Sequence, residues 1–208
     1  LGPYSGRESM LDPLGIMMKA AGKKFGGEGV EKLLDNTHLV LLGRDPYDTW
    51  FSWRKVFSTG SLRGEKLYDN FKTSILHADR LLERADMLGV KTSTFVYEAV
   101  READKSLPRL FMRMGVGDDL LTEGWQKHSG FGTAESGIKI FPQPDLFWQK
   151  GMIDDVTSSD KYSYRRGYGS MLGMEDRWRI MEDGLEDVYM KWRGRTEREL
   201  GVKVGRRL

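Results

Sequence analysis

The sequence has no cysteine among its 208 residues, which excludes structural disulfides, thiolate zinc sites and cysteine nucleophiles together. Its three histidines, His38, His77 and His128, stand too far apart for a paired metal motif on one helix face, so each is read as a structural or surface residue. An excess of one charge sign is missing too. The 33 Lys and Arg against 31 Asp and Glu give +2, which argues against a protein that coats nucleic acid by bulk charge, although local patches stay open. No uncharged apolar run approaches the ~18 residues of a membrane span; the longest purely aliphatic stretch is Leu39 to Leu42. The chain opens on Leu with no signal-like apolar segment behind it, and the expectation is an imported, mitochondrial matrix protein whose targeting segment has been removed.

Nucleotide signatures are equally scarce. Gly22-Lys23 lacks the glycine five residues earlier, where Met17 stands, and Lys24 replaces the hydroxyl residue that would hold magnesium, so there is no Walker loop. Gly-Val-Gly at 115–117 lacks the later glycine of a dinucleotide fingerprint. The acid pairs Asp118-Asp119 and Asp154-Asp155 read as helix-start acids, because neighbouring residues on a helix diverge. The expectation is therefore a chain with no catalytic residue, no cofactor and no metal.

What is abundant is glycine, at 25 residues, and aromatics, at 11% with six Trp, against an apolar share of only 39%. Seven glycines crowd residues 1–29, which reads as an extended arm. Seven more (Gly130, Gly132, Gly137, Gly151, Gly167, Gly169, Gly173) fall in 128–173, where periodicity disappears. A structureless stretch of that length is abnormal inside a compact domain, and it reads as a strap laid over a partner.

Between them lie helix patterns. Glu28 to Leu42 carries Val30, Leu33, Leu34, Thr37 and Leu41 at helical spacing, stopped by Gly43. Asp45-Pro46 is an N-cap followed by proline in the first turn, opening a helix with Tyr47, Trp50, Phe51 and Phe57, while Trp53 falls off that face. Leu62 to Leu88 is the strongest helix of the first half, ended by Gly89. Thr92, Ser93 and Thr94 then offer hydroxyl caps to a second helix with Val96, Ala99, Val100 and Ala103, making an antiparallel hairpin. Pro108 restarts a short helical turn through Met114, which Gly115 ends. At the end of the chain Met174, Trp178, Met181, Leu185, Val188 and Trp192 predict one helix of roughly 25 residues with all six on a single stripe, stopped by Gly201. Its acids lie first and its bases last, as the helix dipole favours.

The segment Tyr162, Tyr164, Arg165, Arg166 and Tyr168 mixes flat rings with guanidinium groups. Such residues stack bases and bind phosphates, and they also anchor protein interfaces; near-neutral total charge favours the second. Trp50 and Trp53 join them as expected partner-binding residues. The basic end (Arg193, Arg195, Arg198, Lys203, Arg206, Arg207) shares the ambiguity.

Ala78, Leu81, the turn Gly89-Val90, Tyr97, Val100 and Ala103 fall where the pentatricopeptide-type repeat places its small, apolar and turn residues, so residues 66–116 resemble a degenerate hairpin of that family. Ala85 and Thr92 depart from its usual Met and Pro. The resemblance implies a non-catalytic accessory subunit of a large mitochondrial assembly, similar to the extra subunit on the catalytic head of the euglenozoan ATP synthase. The alternative is an RNA-associated protein such as a mitochondrial ribosomal subunit. The fold expected is all-α: an extended arm at 1–29, a small helical-hairpin core at 30–127, a glycine- and aromatic-rich strap at 128–173, and a long amphipathic helix with a basic tail at 174–208.

Overall fold

A computed structural model describes residues 12–57, 64–116 and 169–205. The strap expected at 128–173 lies outside the described residues apart from its last five. The chain divides into two compact units, one made of Leu1–Ala99 with Arg166–Leu208 and the other of Val100–Arg165.

In the first unit, α1 runs over Pro13–Asp35. Asp12 caps it by accepting from the Gly15 N–H at 2.8 Å, and Pro13 sits in the first turn, where its missing N–H costs nothing. Residues 13–29 are thus helical, correcting the extended arm. The glycines there do not unwind the chain except at Gly26, whose φ of 68° kinks α1. The apolar patch around Leu14 supplies the reason: Leu14 is buried with Ala85 and Val90, and Met18, Leu34 and Leu39 pack around them.

The helix expected to run on to Leu42 stops at Asp35. Thr37 turns its hydroxyl back to the Leu33 carbonyl at 2.6 Å, and His38–Gly43 is a strand, β1. Its aliphatic run Leu39 to Leu42, bounded by Asn36 and Gly43, has the length of a strand, half-buried here with Leu42 exposed. The second arm of the expected hairpin is also a strand: Lys91–Val96 forms β2, followed by a 3-10 helix over Tyr97–Glu102. Thr92, Ser93 and Thr94, read as helix caps, are β-formers with Phe95 and Val96, and every residue from Thr92 to Val96 is buried. The chain is mainly helical but not all-α.

The two strands pair in parallel, His38 opposite Lys91 and Gly43 opposite Val96. Parallel neighbours need a crossover, which is provided by α2 (Pro46–Phe57) and α3 (Gly64–Met87). Asp45 starts α2 as expected, its Oδ1 accepting from the Tyr47 N–H at 2.8 Å. Gly89, with φ of 72°, ends the turn after α3.

After a 3-10 turn at Gly169–Met171, the chain closes with α5 (Met174–Glu182) and α6 (Leu185–Leu200). The single long helix is broken at Asp183-Gly184, where Gly184 has φ of 70°. The break changes the phase: Leu185 and Trp192 are buried, whereas Met174, Trp178 and Met181 are exposed and Ile180 takes their place inside. Gly201 stops α6 as expected.

α6 lies along β2 and satisfies its backbone. Glu199 accepts from the Thr94 N–H at 2.8 Å and Thr196 donates to the Thr94 carbonyl at 3.0 Å, so the otherwise open edge of a two-stranded sheet is covered. Trp192 presses onto Gly43 so closely that a Cβ there would meet the indole at 2.9 Å. The main core joins Tyr47 and Trp50 of α2, Leu67, Tyr68 and Phe71 of α3, and Leu172, Ile180 and Leu185.

A polar seam binds α2 and α3 to α5 and α6, mostly by aromatic donors on carboxylates. Trp50 Nε1 donates to Asp176 at 2.9 Å, Tyr68 to Asp183 at 2.9 Å, Tyr47 to Glu186 at 2.7 Å and Trp192 Nε1 to Asp79 at 2.8 Å. Ion pairs of Arg54 with Asp176, Lys72 with Asp183, Arg179 with Glu65, and Lys191 with Asp79 and Glu83 reinforce it.

In the second unit, α4 spans Ala103–Met114 with Pro108 inside it, and Gly115 ends it in the left-handed conformation. The helix thus starts before the proline from which it was expected to restart.

Candidate functional site

Of the residues expected to bind a partner, Tyr162, Tyr164, Arg165, Arg166 and Tyr168 lie outside the described residues. Trp50 is 5% exposed, in edge contact with Tyr68 and tilted contact with Phe71, so it is a core anchor and not a docking residue. Its N–H is needed inside, on Asp176. Trp53 is half-buried against Phe71. Two bases of the basic end are engaged within the fold, Arg195 holding Asp86 and Glu199 at 2.6 Å each and Arg193 reaching Glu197 at 3.4 Å, whereas Arg198 is exposed and Arg206 and Arg207 lie outside the described residues. Among the described residues no cluster of three or more His, Asp or Glu is placed to hold a metal ion. His38 bonds to Ser93 across the strands at 2.9 Å. No helix among the described residues is long and apolar enough to cross a membrane.

One buried carboxyl stands out at the carboxyl ends of the paired strands. Glu98 is 5% exposed; its Oε1 accepts from the Asp45 N–H at 3.2 Å, while Oε2 has no hydrogen-bond partner. Burial pushes its pKa up, and the nearby Asp45 charge adds to that, against the N–H groups and the Tyr189 hydroxyl that favour the anion. Burial, together with the Glu98 charge, likewise raises the Tyr189 phenol. In α/β proteins ligands gather at such strand ends. Here the carboxyl is enclosed by its own fold and offers no surface to a substrate, so it reads as a stability cost rather than an active site. The folded state retains the proton above the ordinary 4.5, and stability therefore falls as pH rises past that value. Glu98→Gln is expected to escape this fall. In urea unfolding from pH 4 to 8, the variant should gain on the parent as pH rises past 4.5, and the gain should level off once the buried carboxyl has ionised.

An open groove of about 520 Å³ lies along α1, lined by Ala21, Phe25, Gly29 and Leu33 with the Glu28–Lys32 ion pair. All its walls belong to α1, which bends at Gly26.

The exposed side of α5 is the better candidate. At about 100° per residue, Met174, Trp178 and Met181 share one stripe of this helix, while buried Ile180 and half-buried Asp176 lie on the other side of the wheel, turned to the core. Their exposures are 75%, 54% and 48%. Met171, also exposed, precedes them. The helix is held from behind by the Trp50–Asp176 bond and by two arginines: Arg177 lies over the Tyr47 ring at 5.3 Å, and Arg179 over the Tyr68 ring at 3.8 Å while pairing with Glu65. A fixed helix therefore presents an indole and two thioethers to the outside. Exposed Trp is enriched at binding hot spots, and Met is the side chain that best adapts to a partner surface. The sequence pattern contains this stripe, but its continuation to Leu185 and Trp192 makes it look like core; the Gly184 break separates the two.

No protein-family model matches the chain, and no curated protein and no solved structure is significantly similar to it.

Proposed function

We propose that the chain is a non-catalytic accessory subunit of a large mitochondrial protein assembly, docked through the α5 stripe. The observation that carries the docking is the exposed Met174, Trp178 and Met181 on a helix whose opposite side is fixed in the core. Leaving two thioethers and an indole in water forgoes roughly 1.5–3 kcal/mol per large side chain of the burial a partner would supply. The mitochondrial setting, and the ATP synthase catalytic head as the first assembly to examine, rest on the pentatricopeptide-type resemblance of the sequence alone, since the second arm of that hairpin is strand β2 and a 3-10 helix. The RNA-associated alternative is weakened because Arg193 and Arg195 are engaged by Glu197, Glu199 and Asp86.

The test is recovery of the tagged full chain at moderate salt, with and without nuclease. Protein subunits should co-purify regardless of nuclease, with catalytic-head subunits among them, and Trp178→Ala with Met181→Ala should release them at an unchanged Tm. Release by nuclease, or recovery of a lone folded monomer, would sink the reading.

A further inference from the structure

Charge is distributed unevenly around the α5 stripe. On the helical wheel, Glu175 and Glu182 stand together on one flank, seven residues apart, and both are exposed. Among the described residues no cation pairs with either. Both bases of α5 are instead turned onto other elements, Arg177 over Tyr47 and Arg179 onto Glu65 and Tyr68. The outer face of the helix is thus apolar and flexible at its centre and anionic along one side, with its cations withdrawn.

We infer that this face receives a basic amphipathic helix from a partner protein, an inference that rests on the docking reading above. A helix offers an apolar stripe of matching width to Met174, Trp178 and Met181, and methionines adjust to its side chains without a shape fixed in advance. Lys or Arg along one edge of the incoming helix meets Glu175 and Glu182. Such rim charges select the partner and set its orientation more than they add affinity, because they stay partly solvated. An acidic helix is turned away by the same two carboxylates. A second copy of this chain is disfavoured on the same ground, since a two-fold contact of the stripe on itself brings like-charged flanks into one interface.

The test uses the full chain with two labelled synthetic probes, an amphipathic Leu/Lys helix and its Leu/Glu counterpart, measured by fluorescence anisotropy at low and moderate salt. The Leu/Lys peptide should bind and weaken with salt, and the Leu/Glu peptide should not bind. Trp178→Ala, or separately Met174→Ala, should weaken binding at least about tenfold. Both residues are exposed, and an unchanged melting curve confirms that the fold is kept. Glu175→Lys with Glu182→Lys should reverse the preference between the peptides. Equal binding of both peptides, or binding that survives Trp178→Ala, would overturn the inference, as would self-association of the unmodified chain abolished by that substitution. If Trp178→Ala releases co-purifying subunits while the peptides show no charge preference, docking stands and the basic helix falls.

Discussion

Phe71→Ala is expected to remove about 3–5 kcal/mol of stability, a large part of the 5–15 kcal/mol of an ordinary domain. Phe71 is 1% exposed, and three rings converge on it: Trp50 at 5.2 Å, Trp53 at 5.8 Å and Tyr68 at 5.8 Å between centroids. Truncation loses the transfer energy of the ring and leaves a cavity. The walls cannot close over it easily, because Trp50 and Tyr68 are tethered by their polar ends to Asp176 and Asp183. Phe71→Leu should retain more than half of the loss, since a leucine fills part of the volume without replacing the ring contacts. Urea unfolding of the two variants at neutral pH provides the comparison. A loss below about 1 kcal/mol for Phe71→Ala would mean that this cluster is not the centre of the unit.

Where the sequence could be read correctly, the signal was local. Asp45-Pro46 opens α2 and Gly89, Gly115 and Gly201 close their elements, because a cap needs only its own neighbours and a glycine at positive φ needs no partner. Strands depend on what lies beside them. Thr92 to Val96 is a strand because His38–Gly43 pairs with it on one side and Thr196 and Glu199 bond its backbone on the other, and both partners are far away along the chain. Period alone also joined two stripes that belong to different surfaces. Met174, Trp178 and Met181 continue in perfect helical phase into Leu185 and Trp192, but Gly184 turns the chain between them, so the first three face solvent and the last two face the core. The candidate interface was therefore visible as a pattern and concealed in its meaning. Trp50 shows the reverse: an aromatic that composition marks as surplus is consumed by the core once Asp176 accepts its N–H.

Asp183→Ala should cost about 1–4 kcal/mol, and the reason lies in what it leaves behind. Asp183 accepts from Tyr68, a residue 1% exposed, and pairs with Lys72. Losing the half-exposed ion pair costs only about 0–1 kcal/mol. Losing the acceptor of an enclosed phenol costs a further ~1–3 kcal/mol, because its hydroxyl cannot reach water. Adding Tyr68→Phe to Asp183→Ala should therefore restore much of the loss, as removal of both partners leaves nothing unsatisfied; two additive losses would show that the bond is unimportant. The same bond gives both ends of the pH profile. Burial pushes the Asp183 carboxyl up, but the bonds from Lys72 and Tyr68 outweigh it and hold the carboxyl below its ordinary 3.8. Its contribution is thus complete above that value and is lost as pH falls through the lowered one. Burial, then the bond to Asp183, raises the Tyr68 phenol above its ordinary 10, and the bond to Glu186 helps burial take Tyr47 to about 12. A raised phenol stabilises fully below pH 10 and loses its contribution as pH climbs through the raised value. The seam thus favours a stability plateau between about pH 4 and 10, into which Glu98 puts a decline that begins near its ordinary 4.5 and ends once its buried carboxyl has ionised. Asp183→Ala should lower that plateau and approach the parent curve only on the acid side, where protonation has already taken the carboxylate away from both Lys72 and Tyr68.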